Sequence, residues 1–346
     1  MAARKVLVIG GSGAQGIPIV KELSKYPEYS EIRIITRDPD SKNCNLLLGY
    51  RGVTVSVGAT DNEDDLRKAL AGIDLVFCNI NSFILGIKNE IYWGIRIFEL
   101  SVQAGVKHFI WSSLDNFMFD TKYTDSLRAG HYYGKAAVEQ WLYSIPQRED
   151  STRWSILTTG PYVEMLSDLW VPKRDEDGTY VFEVPIDDGA IPFVHLDDLG
   201  PYVHWIFSNI DQSAGLNLKV AIEHVHLHQI PEAFTKVTGK PAKAVSPSLE
   251  HWFANGAFAD VAERKLGAST AGPNDNTLLT YRQNFSNWIR IYRQSAGNKG
   301  ILRRDYSLLD KVLPERVKTL EQWMRKVEYT GEWKEVLKNR RRDPSL

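Results

Sequence analysis

The chain has 346 residues, and its 42 Lys and Arg against 43 Asp and Glu give a formal net charge of −1 at pH 7. This balance gives no basic field for nucleic acid or an anionic membrane, and two cysteines exclude a disulfide framework. We find no apolar run of membrane-spanning length and no signal peptide before the first predicted strand, so we expect a cytoplasmic protein.

The first predicted strand, residues 5–9, runs directly into a cluster of glycines at positions 10, 13 and 16. An amphipathic helix is predicted directly after it, at 17–23. A tight turn between a strand and a helix N-terminus suits a dinucleotide pyrophosphate, and a ligand-free glycine-rich turn is the alternative. The candidate binding residues in this turn are Gly10, Ser12, Gly13, Ala14, Gln15 and Gly16.

The second predicted strand, residues 32–36, ends in Thr36 and is followed by Arg37. NAD-binding sites place an acidic residue near this strand end to accept from the ribose 2′-hydroxyl. An arginine offers a planar fork to a 2′-phosphate, so the sequence favours NADP(H) over NAD(H). Asp38 keeps the question open because it can accept from a ribose hydroxyl, and Lys42 adds positive charge.

Strand and helix patterns then alternate, with strands at 53–57, 73–80, 106–111 and 154–158 and helices at 61–70, 87–104 and 131–142. Regular alternation predicts a Rossmann-type, doubly wound parallel sheet of the α/β class. Ligands of such sheets bind beyond the carboxyl ends of the strands. The rim therefore includes the strand ends at 79–81, 112–114 and 159–162.

The pattern becomes less regular past residue 165, so we predict an NADP-binding domain at 1–165 and a substrate-binding lobe at 166–346 that partly interleaves with the sheet. Short strands are predicted at 179–185 and 191–195, and residues 216–227 are strand-like. Helices are predicted near 230–237, 249–253, 259–266, 278–294 and 319–326. This mixed α/β lobe would cover the carboxyl edge of the sheet and shape a substrate cleft.

Lys135 is the main candidate for chemistry because its ammonium can hold the nicotinamide ribose from a helix at the sheet edge. A proton donor is harder to identify. His131 stands one turn before Lys135, and Tyr132 is displaced by one position. Ser113 is a further option, as are Asp115 and Tyr162. The alternative for His131 and Tyr132 is a role in capping or packing. The alternative for Lys135 is an ordinary exposed lysine on a helix.

Two further patterns favour plain surface roles. His224, His226 and His228 alternate on one predicted strand, but supporting ligands are missing, so a solvated face is favoured over a metal site and no metal is expected. Arg340–Arg342 is most simply a solvated tail, because no aromatic residues interleave it as a nucleic-acid surface would need.

Together these residues resemble the NmrA-like family, atypical short-chain dehydrogenase/reductases that include isoflavone-reductase-like enzymes. The resemblance rests on the GxxGxxG spacing, on Thr36-Arg37 and on the segment at 104–113 that ends in Ser112-Ser113. It continues through His131-Tyr132-Tyr133-Gly134-Lys135, which has HxxxK in place of YxxxK, and through the turn at 193–200.

The resemblance implies an NADP-preferring Rossmann fold in which Gly10 to Gly16 hold the pyrophosphate and Arg37 the 2′-phosphate. By the same resemblance, Asn79, Ile80 and Asn81 lie along the adenosine and ribose, and Lys135 holds the nicotinamide ribose. Gly160, Pro161, Tyr162 and Val163 border the nicotinamide, and Ser112 lies on the same rim.

Two functions compete under this resemblance. One is an NADPH-dependent reductase of a small aromatic or heterocyclic metabolite, in secondary metabolism, acting on an iminium, a ketone or an activated C=C bond. The missing tyrosine favours imine reduction, because an iminium already carries its charge and needs little acid help. The other is an NADP(H)-sensing regulator without turnover that binds a protein partner. We expect a monomer or homodimer.

Overall fold

The computed structural model describes residues 3–337 of the chain, so Arg340–Arg342 lies outside the described residues. The strands are β1 Arg4–Ile9, β2 Tyr29–Thr36, β3 Val53–Val57, β4 Leu75–Cys78, β5 His108–Leu114, β6 Arg153–Thr159, β7 Lys173–Arg174, β8 Tyr180–Glu183, β9 Ala190–Pro192, β10 Asn217–Lys219, β11 His224–His226 and β12 Ala242–Val245.

The helices lie between and after these strands. They are α1 Gly16–Leu23, α2 Lys42–Leu48, α3 Glu63–Leu70, α4 Ser82–Gln103, α5 Gly130–Leu142, α6 Leu196–Ser208, α7 Ile210–Ser213, α8 Gln229–Thr238, α9 Leu249–Asn255, α10 Ala268–Ala271, α11 Tyr281–Arg293, α12 Tyr306–Val312 and α13 Leu320–Lys326. Among residues 3–337, no helix combines the length and the apolar character needed to cross a lipid bilayer.

A seven-stranded sheet with the order β10-β6-β5-β4-β1-β2-β3 forms the centre of the fold. Every neighbouring pair of its strands is parallel. The predicted Rossmann-type doubly wound sheet is therefore confirmed. The strand order reverses between β1 and β4, and a ligand crevice is expected outside their carboxyl ends.

Both faces of this sheet are covered, which explains the nearly continuous apolar sequence of its strands. In β1, Val6 and Val8 pack towards α1, α2 and α6. The intervening Leu7 and Ile9 face the opposite side and pack among residues of α3, α4 and α5. Because successive side chains of a strand point to opposite faces, Val6 and Val8 belong to one core and Leu7 and Ile9 to another.

A second layer of structure follows the sheet in sequence. It contains the antiparallel pair β11-β9, the three-stranded sheet β12-β8-β7 and a third hydrophobic core rich in aromatic side chains. Two elements of this half belong to the central layer instead. Strand β10 joins the sheet by pairing with β6, and helix α6 packs against α1 on one face of the sheet. A division of the chain at residue 165 stays a prediction.

Several elements differ from the predictions. The strand-like segment 216–227 is broken into β10 and β11, and the predicted helix at 259–266 is reduced to a 3₁₀ turn at Ala259–Val261. Helix α4 begins before its predicted start at 87, but Gly86 interrupts it with φ 72° and ψ 168°. The regular helix therefore starts after Gly86, as its periodicity indicates.

Candidate active site at the carboxyl edge of the sheet

The loop between β1 and α1 is closed so tightly that glycine is required at two positions. Gly10 has φ +81°, and a Cβ there would lie 2.3 Å from the Asn79 carbonyl oxygen. A Cβ on Gly16 would lie 2.2 Å from the Gly10 carbonyl oxygen. At Gly13 an added Cβ would meet only Gly10 O within 4 Å, at 3.2 Å, so this side of the loop is open. This cradle at a helix N-terminus fits a diphosphate.

Gln15 joins this loop to the far strands of the sheet, a role that the sequence did not indicate. Its Oε1 accepts from the Ser112 hydroxyl at 2.7 Å, and its Nε2 donates to the Tyr162 hydroxyl at 3.0 Å and to Thr159 Oγ1 at 3.4 Å. Burial raises the pKa of Tyr162 to about 12, so its hydroxyl stays protonated. Ser112 and Tyr162 are thereby fixed relative to the glycine loop.

Arg37 extends from the end of β2 with its side chain exposed. Within residues 3–337 its guanidinium has no hydrogen bond and no ion pair. The preceding Thr36 accepts from the Asp38 N–H at 3.2 Å and so shapes the turn after the strand. Asn43, which the sequence did not single out, holds the loop through a 3.1 Å bond from its Nδ2 to Ser12 O. Arg37 is therefore free to bind an anion.

Lys135 projects from α5 to the carboxyl ends of β4 and β5, where its side chain is 7% exposed. Its Nζ donates to Asn79 Oδ1 at 3.0 Å, Ile80 O at 3.2 Å and Ser112 O at 3.3 Å. The ammonium also lies 5.0 Å from the centre of the Trp111 ring. The structure thus brings four of the predicted residues into one cluster at the strand ends.

A fifth partner of this ammonium, Glu90, was missed by sequence reasoning. Its Oε1 lies 3.3 Å from Lys135 Nζ, and its side chain is fully buried in the contact between α4 and α5. The same oxygen accepts from the Ser82 hydroxyl at 2.7 Å. In the sequence, Glu90 is one charged residue in a long predicted helix. Its partner Lys135 lies 45 positions later, and no local pattern indicates that the two residues pair.

His131 is the second residue of α5 and lies one turn before Lys135, among aromatic rings. Its Nδ1 donates to Asn284 Oδ1 at 3.1 Å, and burial lowers its pKa to about 4, so the ring is neutral at neutral pH. Phe83 and Phe285 lie with ring centroids 5.1 and 5.6 Å from it. Asn284 Oδ1 also accepts from Gly130 N at 2.8 Å, and among residues 3–337 its buried Nδ2 has no hydrogen-bond partner. Asn284 thus fixes both the start of α5 and the ring of His131.

Two other predicted catalytic residues do not join the Lys135 cluster. The Tyr132 hydroxyl bonds that of Tyr292 at 2.6 Å in the aromatic core, and burial raises the pKa of Tyr132 beyond its usual range. The Ser113 hydroxyl donates to Glu139 Oε2 at 2.8 Å, inside the contact between β5 and α5. Their bonds hold α5 in place, because both anchor it to neighbouring elements.

The segment after β6 lies along the same edge. Val163 N and Pro161 O pair with Val194 at 2.9 Å each, which fixes Pro161 to Val163 beside the turn into α6. Gly160 is buried against Pro192 O, which an added Cβ would approach to 3.0 Å. On the other side, Asn81 caps α4 by accepting from Phe83 N at 3.0 Å.

The three alternating histidines separate in the structure. His224 is half-buried and bonds the Tyr306 hydroxyl at 2.7 Å and Leu302 O at 2.8 Å, so the solvated face expected here is wrong for this residue. His226 and His228 stack with centroids 5.8 Å apart. Among residues 3–337, no group of three His, Cys, Asp or Glu side chains is arranged to hold a metal ion.

Comparisons with known proteins identify the family of this chain. The profile of the NmrA-like family matches residues 2–275. An NmrA-like family domain-containing oxidoreductase of Aspergillus hancockii is 32% identical over 265 residues, covering 72% of this chain and 76% of its own. An NmrA-like family domain-containing protein of Dictyostelium discoideum is 26% identical over 247 residues, with coverages of 69% and 78%.

Solved structures share the fold at low sequence identity. Crystalline NmrA, described as a negative transcriptional regulator in complex with NADP, has a TM-score of 0.68 at 15% identity, covering 95% of this chain and 99% of its own. Triphenylmethane reductase of Citrobacter sp., complexed with NADP(H), has a TM-score of 0.65 at 15% identity, with coverages of 93% and 99%. With the family profile covering most of its length, this chain belongs to the NmrA-like family.

Proposed function

We propose that the protein is an NAD(P)-dependent oxidoreductase, and more closely an NADPH-dependent reductase of a small-molecule metabolite. The observation that carries the proposal is the Lys135 ammonium, held at the ends of β4 and β5 beside the glycine cradle. Curated relatives in fungi are named oxidoreductases, and fold neighbours include proteins crystallised with NADP. NADPH, when bound, supplies a hydride to an iminium, a ketone or an activated C=C bond.

Different residues of the chain bind different parts of the cofactor. The loop Gly10 to Gly16 holds the pyrophosphate on backbone amides, and Arg37 pairs with the 2′-phosphate. Asn79 to Asn81 lie along the adenosine and ribose, while Lys135 holds the nicotinamide ribose. Gly160 to Val163 border the nicotinamide, and Ser112 is kept in register by Gln15.

The protonation states of the side chains near Lys135 favour a substrate whose reduction does not require a strong proton donor. His131 is neutral at neutral pH because burial lowers its pKa, and the Tyr132 hydroxyl is engaged with Tyr292. Reduction of a ketone requires a proton on oxygen, whereas an iminium becomes a neutral amine on hydride addition alone. The rings of Phe83, Phe285 and Trp288 around His131 suit an aromatic or heterocyclic C=N compound.

A second candidate function is an NADP(H)-sensing regulator that binds a protein partner without turnover. The engagement of the Tyr132 hydroxyl with Tyr292 and the neutral ring of His131 favour it, and so does the fold likeness to a transcriptional regulator. In that case Lys135 and Arg37 would serve binding alone.

Oxidation of NADPH against a panel of cyclic imines, aromatic ketones and enones tests the choice. Turnover is expected with at least the imines, measured as loss of nicotinamide absorbance with product identified by mass. NADPH binding with no turnover of any class, together with a partner whose affinity changes with the cofactor's redox state, would favour the regulator instead.

Arg37→Ala tests the choice of cofactor. We expect NADPH affinity to fall by roughly tenfold to a hundredfold with NADH affinity unchanged, because a charge-assisted bond to the 2′-phosphate is lost. Arg67→Ala is the control, since Arg67 is an exposed arginine of α3 that pairs with Glu63. Equal affinities of the wild-type protein for NADPH and NADH would remove Arg37 from this role.

A further inference from the structure

Glu90 is a buried carboxylate whose charged partner is the Lys135 ammonium. It accepts from Ser82 through Oε1, while its buried Oε2 has no hydrogen-bond partner in the part of the chain that the structure describes. The backbone is built around it, since a Cβ on Gly134 would lie 2.4 Å from Oε2. Burying a carboxylate this completely costs several kcal/mol by order of magnitude, so an apolar side chain would serve packing alone better.

Within residues 3–337, no other charged side chain forms an ion pair with Lys135 or Glu90. From β4, Cys78 faces the pair, and burial raises the pKa of its thiol to about 12, so it is neutral. From α5, His131 is also neutral. The remaining partners of Lys135 are an amide, two backbone carbonyls and the ring of Trp111. Burial raises the pKa of Glu90 and the Lys135 ammonium at 3.3 Å opposes that shift, so the ionised carboxylate depends on the ammonium and the two charges balance each other.

We propose that Glu90 is a positioning residue that fixes the Lys135 ammonium at the sheet edge and cancels its charge for the nicotinamide. This inference rests on the proposed function, in which Lys135 holds the nicotinamide ribose. The nicotinamide ring is cationic when oxidised and neutral when reduced. A neutral pair beside it binds both forms without electrostatic bias, whereas a lone ammonium repels the oxidised form.

Glu90→Gln isolates this charge effect, because glutamine keeps the shape and the bond to Ser82 but loses the charge. The dissociation constants of NADP⁺ and NADPH are measured on the full chain by fluorescence titration at about pH 7. We expect the ratio of the NADP⁺ constant to the NADPH constant to rise about tenfold over wild type, because the uncompensated ammonium repels the cationic ring.

Three variants accompany this measurement. Glu139→Gln is the matched control. Like Glu90, Glu139 is a buried glutamate, but it lies on α5 and bonds Ser113 and not Lys135, so the ratio stays at the wild-type value. Glu90→Asp keeps the charge and restores the ratio to within a few-fold of wild type. Gly134→Ala displaces the carboxylate while leaving its charge in the protein, and raises the ratio in the same direction as Glu90→Gln.

An unchanged ratio in Glu90→Gln overturns the inference, provided that both nucleotides still bind. If that variant yields too little folded protein, an unchanged ratio in Gly134→Ala does the same. An equal rise in Glu139→Gln would show a general effect of buried glutamates and also overturn it. Failure of the wild-type protein to bind either nucleotide would instead refute the proposed function itself.

Discussion

Glu139 shows how a single buried carboxyl sets a pH dependence of stability. Its side chain accepts from the Ser113 hydroxyl at 2.8 Å, from Asn217 Nδ2 at 3.2 Å and from the Tyr143 hydroxyl at 3.3 Å. Burial raises its pKa from the usual 4.5 to about 7, although the bond from Ser113 opposes this shift. Between these values the folded protein holds a proton that the unfolded chain has lost, so the free energy of unfolding falls as pH rises.

Glu139→Gln should remove this dependence. The variant should match wild type near pH 4 and exceed it by roughly 3 kcal/mol above about pH 7, because the neutral amide has no charge to desolvate. Urea unfolding across this range measures the difference. Glu149→Gln, at an exposed loop position, should leave the pH profile of wild type unchanged. A parallel profile for Glu139→Gln and wild type would contradict the assignment.

For single residues, the sequence predicts what is encoded in local backbone geometry. The glycines of the first loop are identifiable because their spacing reports a tight turn between a strand and a helix. Glu90 and Asn284 were not identified, because their roles depend on contacts with Lys135 and His131 at long separations in the chain. Tyr132 is predicted from its closeness to Lys135 in sequence and Ser113 from its place after the fifth strand, yet their hydroxyls bond elsewhere.

Among the helices, α4 is divided at Gly86 into a short first turn and a long regular helix. Gly86 has φ 72° and ψ 168°, a conformation that essentially only glycine adopts. A Cβ there would lie 2.7 Å from Leu278 Cδ2, so the segment before α11 packs directly against the break. The break separates the first turn, which holds Ser82 next to Glu90, from the regular helix after it.

Gly86→Ala should therefore cost stability for two reasons, strain and overlap with Leu278. We expect a loss of about 3 kcal/mol in the free energy of unfolding and weaker NADPH binding, because the turn that follows Asn81 is displaced. Gly72→Ala is the matched control, with φ +71° and no atom within 4 Å of its added Cβ, and should cost about 1 kcal/mol without affecting NADPH. Equal effects of both substitutions would show that packing against Leu278 contributes nothing.

The inner strands of the central sheet, such as β1 and β4, are the most predictable elements because they are apolar on both faces and regularly spaced. The elements of the second layer are less predictable. Strand β12 has no buried face, because Ala242–Val245 alternates between partly buried and exposed residues. Helix α12, Tyr306–Val312, has only seven residues, which is too short for a clear hydrophobic pattern. Such short elements depend on the surface that they pack against, which no local pattern records.

At the scale of the whole molecule, a buried ion pair joins the second layer to the central sheet. Arg304 lies before α12, and its guanidinium binds both carboxylate oxygens of Asp115, after β5, at 2.7 and 2.8 Å. It also donates to Val220 O at 3.0 Å and approaches Thr159 O at 3.5 Å. One side chain thus holds the ends of β5, β6 and β10 beside Gly160, at the edge proposed to border the nicotinamide.

Arg304→Met should destabilise the whole protein by about 3–5 kcal/mol, because it leaves the Asp115 carboxylate buried without its countercharge. Adding Asp115→Asn should recover part of that loss, since the second substitution removes the unpaired charge. The free energies of unfolding of wild type, both single variants and the double variant form a cycle whose coupling measures the pair. Because the guanidinium joins three strand ends to the second layer, Arg304→Met should also weaken NADPH binding in the folded protein. Additive single effects with unchanged NADPH affinity would mean that the two layers are held together by apolar packing alone.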